Sequence, residues 1–534
     1  MEVKIAKRAN CLHFCLEQGE DMAEELLKTE PKDDSKKPLV SMSDFLFGRR
    51  DIFATYDEIT EDNVVFEVNT ALAYHYQNVF EEEYLYWYRR GIQPVLHRTK
   101  EYNDWILNKV VVNLAEAVIT FKNGYLIMEP LFYSSRGAAN QEDIDQLNEY
   151  LYRSGKQEAD NKLADWFHMV GKAALYVESN DDPDIPVKAY AIDPRSAFVV
   201  RSMRPGNKPV YAINVVIQGN KSLIDVYTKD KIFRLSGGSA PAEPVTARPT
   251  YEATAVQLEK VEKNELGHIP IIEYRYNSVN MGAFESVISI LDAINEVQSN
   301  RVDGVAQFIQ SLGVAINCNF DETVSAETIK RSGLIALSSI GENKADFKIL
   351  SEELNQDQTQ TLIDDLKELA LTICSVPGAS GTGTSASLTG QAAIFNNRWE
   401  QAAAAARNTE DLFRESNRYF DEILIDVLRK KGILNVKLVD FELNIVRNET
   451  ANVQSKAQAA QTMLSMGMHP ELAFKKSGLS NDPVADVQMS EKYLKLIWGD
   501  PDEAIRAEEE GDGQGEAIVI EEDNNNGENA TGGA

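Results

Sequence analysis

Residues 283–310 limit the possible fold more than any other stretch. Phe284, Val287, Leu291, Ile294, Val297, Val302, Val305, Phe308 and Ile309 recur at roughly 3.5-residue spacing, while Glu285, Asp292, Glu296 and Asp303 fall on other faces. So long a stripe predicts a helix that needs a partner helix. Residues 356–375 supply it, and between the two lies a small α/β insertion with strands at 314–318, 334–339 and 347–351 and a short helix near Glu327. Next comes a run containing Gly378, Ser380, Gly381, Thr382, Gly383, Thr384 and Ser385, with no charge from Ser375 to Leu388. It predicts a loop. A long helix over 389–431, a strand over 436–446 and helices at 453–466, 471–476 and 483–498 complete the ordered part.

The chain ahead of the stripe has a different texture. A helix is predicted over 64–90, then an extended 94–98 and a second helix over 102–121. Short alternating runs between 173 and 230 predict a meander of antiparallel strands, a Gly/Pro/Ala-rich loop covers 236–249, and strand character returns at 269–276. The fold class is therefore α+β, with several lobes and no internal repeat. Seven aromatic residues from Tyr74 to Tyr88 have the look of a base-stacking platform, but Glu81, Glu82 and Glu83 lie among them and favour helix packing.

Charge narrows the function. The 534 residues carry 84 Asp and Glu against 54 Lys and Arg, a net charge of −30, which argues against wrapping nucleic acid on a broad basic surface. Residues 500–534 hold twelve acidic side chains and one arginine, too charged to collapse, and the first forty residues read as a polar leader. No membrane span or signal peptide is evident, so a soluble protein made without export is expected. Cys11, Cys15, Cys318 and Cys374 make no disulfide framework, and a reducing compartment is expected.

Catalytic patterns find no support. The glycine-rich run lacks the Gly-Lys-Ser/Thr ending of a phosphate loop, and Cys11, His13 and Cys15 want a fourth zinc ligand. The six histidines are scattered, no nucleophile elbow is present, and adjacent acids such as Asp181-Asp182 and Asp364-Asp365 are expected by chance in so acidic a chain. No enzyme activity, cofactor or metal is expected.

One segment, 267–308, carries Gly267, Pro270, Ile271, Ile272 and Asn277 ahead of a helix bearing Leu291, Asp292, Asn295, Ser299 and Asp303. Thr389-Gly390-Gln391-Ala392 opens the later long helix. With the order helix, insertion, helix, loop, long helix, strand, terminal helices and acidic tail, this resembles the portal proteins of tailed bacteriophages, of the siphophage type. The resemblance spans about 43–523.

It implies a portal fold closing into a dodecameric ring at one capsid vertex of the virion, assembled in the cytoplasm of the bacterial host. Double-stranded DNA would pass through during packaging and ejection. The implied partners are the terminase large subunit, a head–tail adaptor or connector, the major capsid protein and scaffold, with no membrane. The implied parts are a leader (1–42), a wing (43–282), a stem helix (283–310), a clip (311–355), a second stem helix (356–375), a tunnel loop (376–388), a wing helix and strand (389–448), a crown (449–499) and the tail (500–534). Asp292, Glu296, Ser299 and Asp303 would line the channel, where acidic groups repel phosphate and let DNA slide. Lys330, Arg331, Lys344 and Lys348 would give the clip a basic docking face for an acidic partner. A capsid-associated scaffold without a channel, and a nucleotide-dependent enzyme using the glycine-rich run, are the alternatives.

Overall fold

The computed structural model describes residues 48–100, 105–218 apart from 128 and 137–140, 221–238, 256–309, four short strands between 313 and 349, 356–378, 388–447, 453–479 and five positions between 486 and 493. The leader, the helix near Glu327, most of the glycine-rich run and the acidic tail lie outside these residues, and the last predicted helix is described only at those few positions, all helical. Helices and strands are mixed, as an α+β chain requires, and the chain divides into two compact units.

The first unit comprises residues up to 132, 145–438 and 445–449. It opens with strand β1 (Ile52–Phe53) and helix α1 (Val64–Arg89), followed by a 3-10 turn at Pro94–His97 where an extended run was predicted. Proline at the first position of that turn presets its backbone angle. Helix α2 covers Leu114–Leu126. The predicted start near Tyr102 is wrong: residues 105–113 form no helix, because several of their amides donate to side chains elsewhere in the fold.

Strand β2 (Phe132–Ser135) and helix α3 (Gln141–Arg153) cross the boundary between the units. Helix α4 (Lys156–Val170) ends at Gly171, whose left-handed φ of 89° lets its N–H close back on Phe167 at 2.9 Å.

The predicted meander divides between two sheets. Strands β3 (Lys172–Ser179) and β4 (Val187–Ile192) join the later β10 (Ile271–Arg275) in the order β10-β3-β4. Strands β5 (Ala197–Arg201), β6 (Pro209–Gln218), β7 (Lys221–Tyr227), β8 (Lys231–Gly238) and β9 (Gln257–Lys263) run antiparallel in sequence, and β1 adds a parallel edge beside β5. The amino-terminal half of α1 buries Val64, Val68, Ala71 and Leu72 against Tyr211, Ile213, Val226 and Phe233 of this six-stranded sheet.

Two long helices follow as predicted: α5 (Ile288–Ile309), entered through a 3-10 turn at Glu285–Val287, and α6 (Gln356–Ile373). Between them, β11 (Gly313–Ile316) pairs antiparallel with β14 (Asp346–Ile349), and β12 (Cys318–Asn319) with β13 (Ser338–Ser339). Phe284, Val287, Leu291 and Ile294 pack with Leu85 and Tyr88 of α1, Val118 and Ile119 of α2, Ala370 of α6 and Cys374 just after it. Among the described side chains the stripe is buried over this first half, while Val302 and Val305 are exposed. Helix α7 (Leu388–Lys430) closes the unit. Tyr86 stacks on Trp166 at 5.9 Å and Tyr88 on Phe284 at 5.7 Å, so these aromatics serve packing, while Tyr74 and Trp87 remain exposed.

The second unit comprises 133–144, 439–444 and 450–534. Within it β2 pairs with β15 (Phe441–Asn444), and Tyr133 meets Phe441 edge to face. Helices α8 (Val453–Ser465) and α9 (Pro470–Ser477) pack together, burying Ala460 and Ala473.

A water-sized cavity in the first unit is lined by His75, Asn78, Glu82, Lys172 and Glu273. Burial pushes the Glu82 carboxyl up to about 7 from 4.5, against the pull of Arg49 and Lys172, and pushes the His75 imidazole down to about 4 from 6.5. Folded Glu82 holds a proton that the unfolded chain has lost, so its contribution falls as pH rises from about 4.5 to 7. His75 acts oppositely, and its contribution is lost as pH drops from about 6.5 to 4. Glu82→Gln should therefore raise stability at pH 8 by on the order of 1–3 kcal/mol and leave a steeper rise between pH 4.5 and 6.5. Urea denaturation at several pH values measures both, and an unaltered profile would contradict the assignment.

Candidate functional site

Helix α5 carries four of the predicted channel residues, and its neighbours account for their placement. Val112 N–H donates to Asn295 Oδ1 at 2.7 Å, Val110 N–H to Ser299 Oγ at 2.9 Å, and Asn108 N–H to Asp303 Oδ1 at 2.7 Å. Three acceptors four residues apart on one helix face thus hold alternate amides of the 105–113 segment, which runs antiparallel to the helix as a strap. The two repeats nearly match, since four helical residues advance about 6.0 Å and two extended residues about 6.6–6.8 Å. At the α2 end, Leu114 N–H donates to Val112 carbonyl at 2.8 Å and Asn113 adopts φ −78° and ψ 67°, an inverse γ-turn that redirects the strap into the helix.

Ser299 and Asp303 are consequently buried inside the chain, at 0% and 3% exposure, and do not line a channel. Asp303 is further paired with Arg98 at 3.1 Å and Lys100 at 2.5 Å. Although burial opposes it, hydrogen bonds from Lys100 and Asn108 hold this carboxyl below its ordinary range. Asp292 accepts the Tyr88 hydroxyl at 2.9 Å and is half-buried; burial, then the nearby Asp292, raise the Tyr88 phenol well above its usual value. Of the four, Glu296 alone is exposed.

The base of α5 is fixed by residues that sequence reasoning missed. Arg49, fully buried, reaches Glu285 Oε1 at 2.5 Å and Glu81 Oε2 at 3.3 Å, joining the segment ahead of β1, helix α1 and the entry to α5. Glu285, predicted on an outer face, is buried here, and its other oxygen accepts the Gly282 N–H at 2.7 Å. Asn277 accepts the amides of Val279 and Met281, both at 3.1 Å, which closes the turn before the helix. Arg49 and Asn280 exchange two further bonds, at 3.0 and 2.9 Å. The Gly48-Arg49-Arg50 and Asn280-Met281-Gly282 strings are the only sequence signals of this latch, and neither says that the two meet.

The far helix ends in a cap as well. Val376 N–H donates to Leu371 carbonyl at 2.8 Å and Ser375 N–H to Thr372 carbonyl at 3.0 Å, with Ser375 at φ +54°, a left-handed position where glycine is usual. The chain therefore leaves α6 in a set direction towards Gly378. Ser380, Gly381, Thr382, Gly383, Thr384 and Ser385 lie outside the described residues, as do Lys330, Arg331 and Lys344; Lys348 lies on β14 opposite Val314.

Among the described residues there is no grouping of three or more His, Cys, Asp or Glu able to hold a metal ion, and no helix long and apolar enough to cross a membrane. A buried acid–base network surrounds Glu273, which Lys172, Arg201 and Arg275 hold well below the ordinary carboxylate range despite its burial. It joins β3, β5 and β10.

Comparison with known proteins gives one family. The family described as "Phage portal protein, SPP1 Gp6-like" matches residues 51–514. No curated protein matches. A solved structure titled "Neck of empty GTA particle computed with C6 symmetry" aligns with 68% of this chain and 89% of its own, at 12% identity and a TM-score of 0.38.

Proposed function

Because this chain belongs to the SPP1 Gp6-like phage portal protein family, we propose that it forms a ring at one vertex of a phage capsid and provides the conduit for double-stranded DNA during packaging and ejection. The family match over 51–514 carries the reading. The antiparallel pair α5 and α6, with strand pairs between them, supports a stem and clip, and the uncharged loop before α7 supports a tunnel loop.

On this reading α5 and α6 are stem helices and Glu296 is the stem acid that faces DNA. A conduit must not grip its cargo, so an acidic wall and an uncharged loop keep sliding barriers low. The insertion docks first the terminase and then the head–tail connector, with Lys330, Arg331, Lys344 and Lys348 meeting an acidic partner surface. Capsid protein and scaffold surround the ring, which sits in the virion and is assembled in the host cytoplasm. The protein is structural, and the packaging ATPase is a separate chain.

Twelve heterologous contacts that close on themselves require a discrete assembly rather than an open filament. Native mass spectrometry of the purified chain tests this: a species near twelve or thirteen times 59.6 kDa is expected, and monomers alone at high concentration would contradict it.

A further inference from the structure

The strap and α5 meet through a ladder whose three rungs differ chemically. Asn295 is fully buried, and both ends of its carboxamide are used: Oδ1 accepts Val112 N–H, and Nδ2 donates to Gln93 Oε1 at 2.5 Å. Gln93 is buried in turn and donates to Tyr88 carbonyl at 3.1 Å and Asn113 Oδ1 at 3.2 Å. This end is neutral and tied into the core. At the other end Asp303 holds the amide and side chain of Asn108, at 2.7 and 2.8 Å, while Arg98 and Lys100 bind both the carboxylate and the strap, donating to Asn108 carbonyl at 3.1 Å and Ile106 carbonyl at 3.2 Å.

The cations are less buried than the neutral rung, with 13% of the Arg98 side chain and 25% of the Lys100 side chain exposed. The amide bonds themselves are of similar length, 2.7, 2.9 and 2.7 Å from Asn295 to Asp303, so the asymmetry lies in charge and burial.

We propose that the strap is a clamp on α5 that opens in order, from the charged Asp303 end towards the neutral Asn295 end. Opening at Asp303 frees the part of α5 nearest the insertion while its base stays held by Asn295 and Arg49. The device needs no ligand: a charge-assisted rung closes the free end, and losing that charge lets the end lift without unfolding the helix.

Amide-resolved hydrogen exchange on the full chain tests the order. Asp303→Asn should speed exchange at Asn108 by about ten- to a hundredfold and leave Val112 within about twofold, because the charge-assisted bonds are lost only at one end. The Arg98→Met and Lys100→Met double variant, which leaves every rung in place, should show the same one-ended pattern. Ser299→Ala should speed Val110 and Asn108 but not Val112. Equal acceleration of all three amides would overturn ordered opening, and so would unchanged exchange at Asn108 in both charge variants. If Asp303→Asn fails to fold, the double variant decides alone.

Discussion

Arg49→Ala should be among the most damaging single changes in the chain, costing about 3–5 kcal/mol, because it takes from the buried carboxylates of Glu81 and Glu285 the guanidinium that neutralises both. The loss is one of uncompensated charge rather than of packing. Arg49→Lys should recover part of it, since an ammonium restores the charge without the planar fork that spans two carboxylates. Arg49→Ala combined with Glu285→Gln should also be less destabilised than Arg49→Ala alone. Urea denaturation followed by tryptophan fluorescence provides the comparison. Equal midpoints for wild type and Arg49→Ala would show that the latch contributes nothing.

The second large effect concerns the approach of two backbones beside that latch. A Cβ on Gly171 would lie 2.1 Å from the Asn280 carbonyl oxygen, and one on Gly282 would lie 2.3 Å from that of Met169. Both obstacles are main chain, so relief means moving the junction between α4 and α5. Gly171→Ala and Gly282→Ala should each cost about 3 kcal/mol or more. Gly171 adds the penalty of its φ of +89°. Gly91 and Gly432 give the control: both have positive φ, but a Cβ there meets nothing within 4 Å. Alanine at either should cost only about 1–2 kcal/mol, the backbone share. Equal losses at Gly171 and Gly91 would mean that close approach does not matter.

These residues mark where sequence reading stops. The helical stripe over 283–310 was legible because periodicity is local, and the same holds for the long helix now bounded as Leu388–Lys430. Strand alternation was legible between 173 and 230, but alternation does not name a partner. Only tertiary pairing joins β10 to β3 and divides the run into two sheets.

The strap was misread as helix because its amides find acceptors 183 to 195 residues away. The same distance hid the role of Asn295, Ser299 and Asp303. Their four-residue spacing was visible, but it serves to hold a neighbouring segment, and only Glu296 keeps the exposure that a channel acid needs. Arg49 was invisible for the opposite reason: an arginine in a Gly-Arg-Arg string carries no local mark of burial.

The central claim is that this portal-family chain closes into a conduit with Glu296 on its inner wall. A single-particle electron cryomicroscopy reconstruction of the purified full-length chain tests it most directly. A closed ring with a central hole wide enough for a DNA duplex and Glu296 facing the hole is the expected result. An open or solid assembly, or a ring in which Glu296 is buried between subunits, would contradict it.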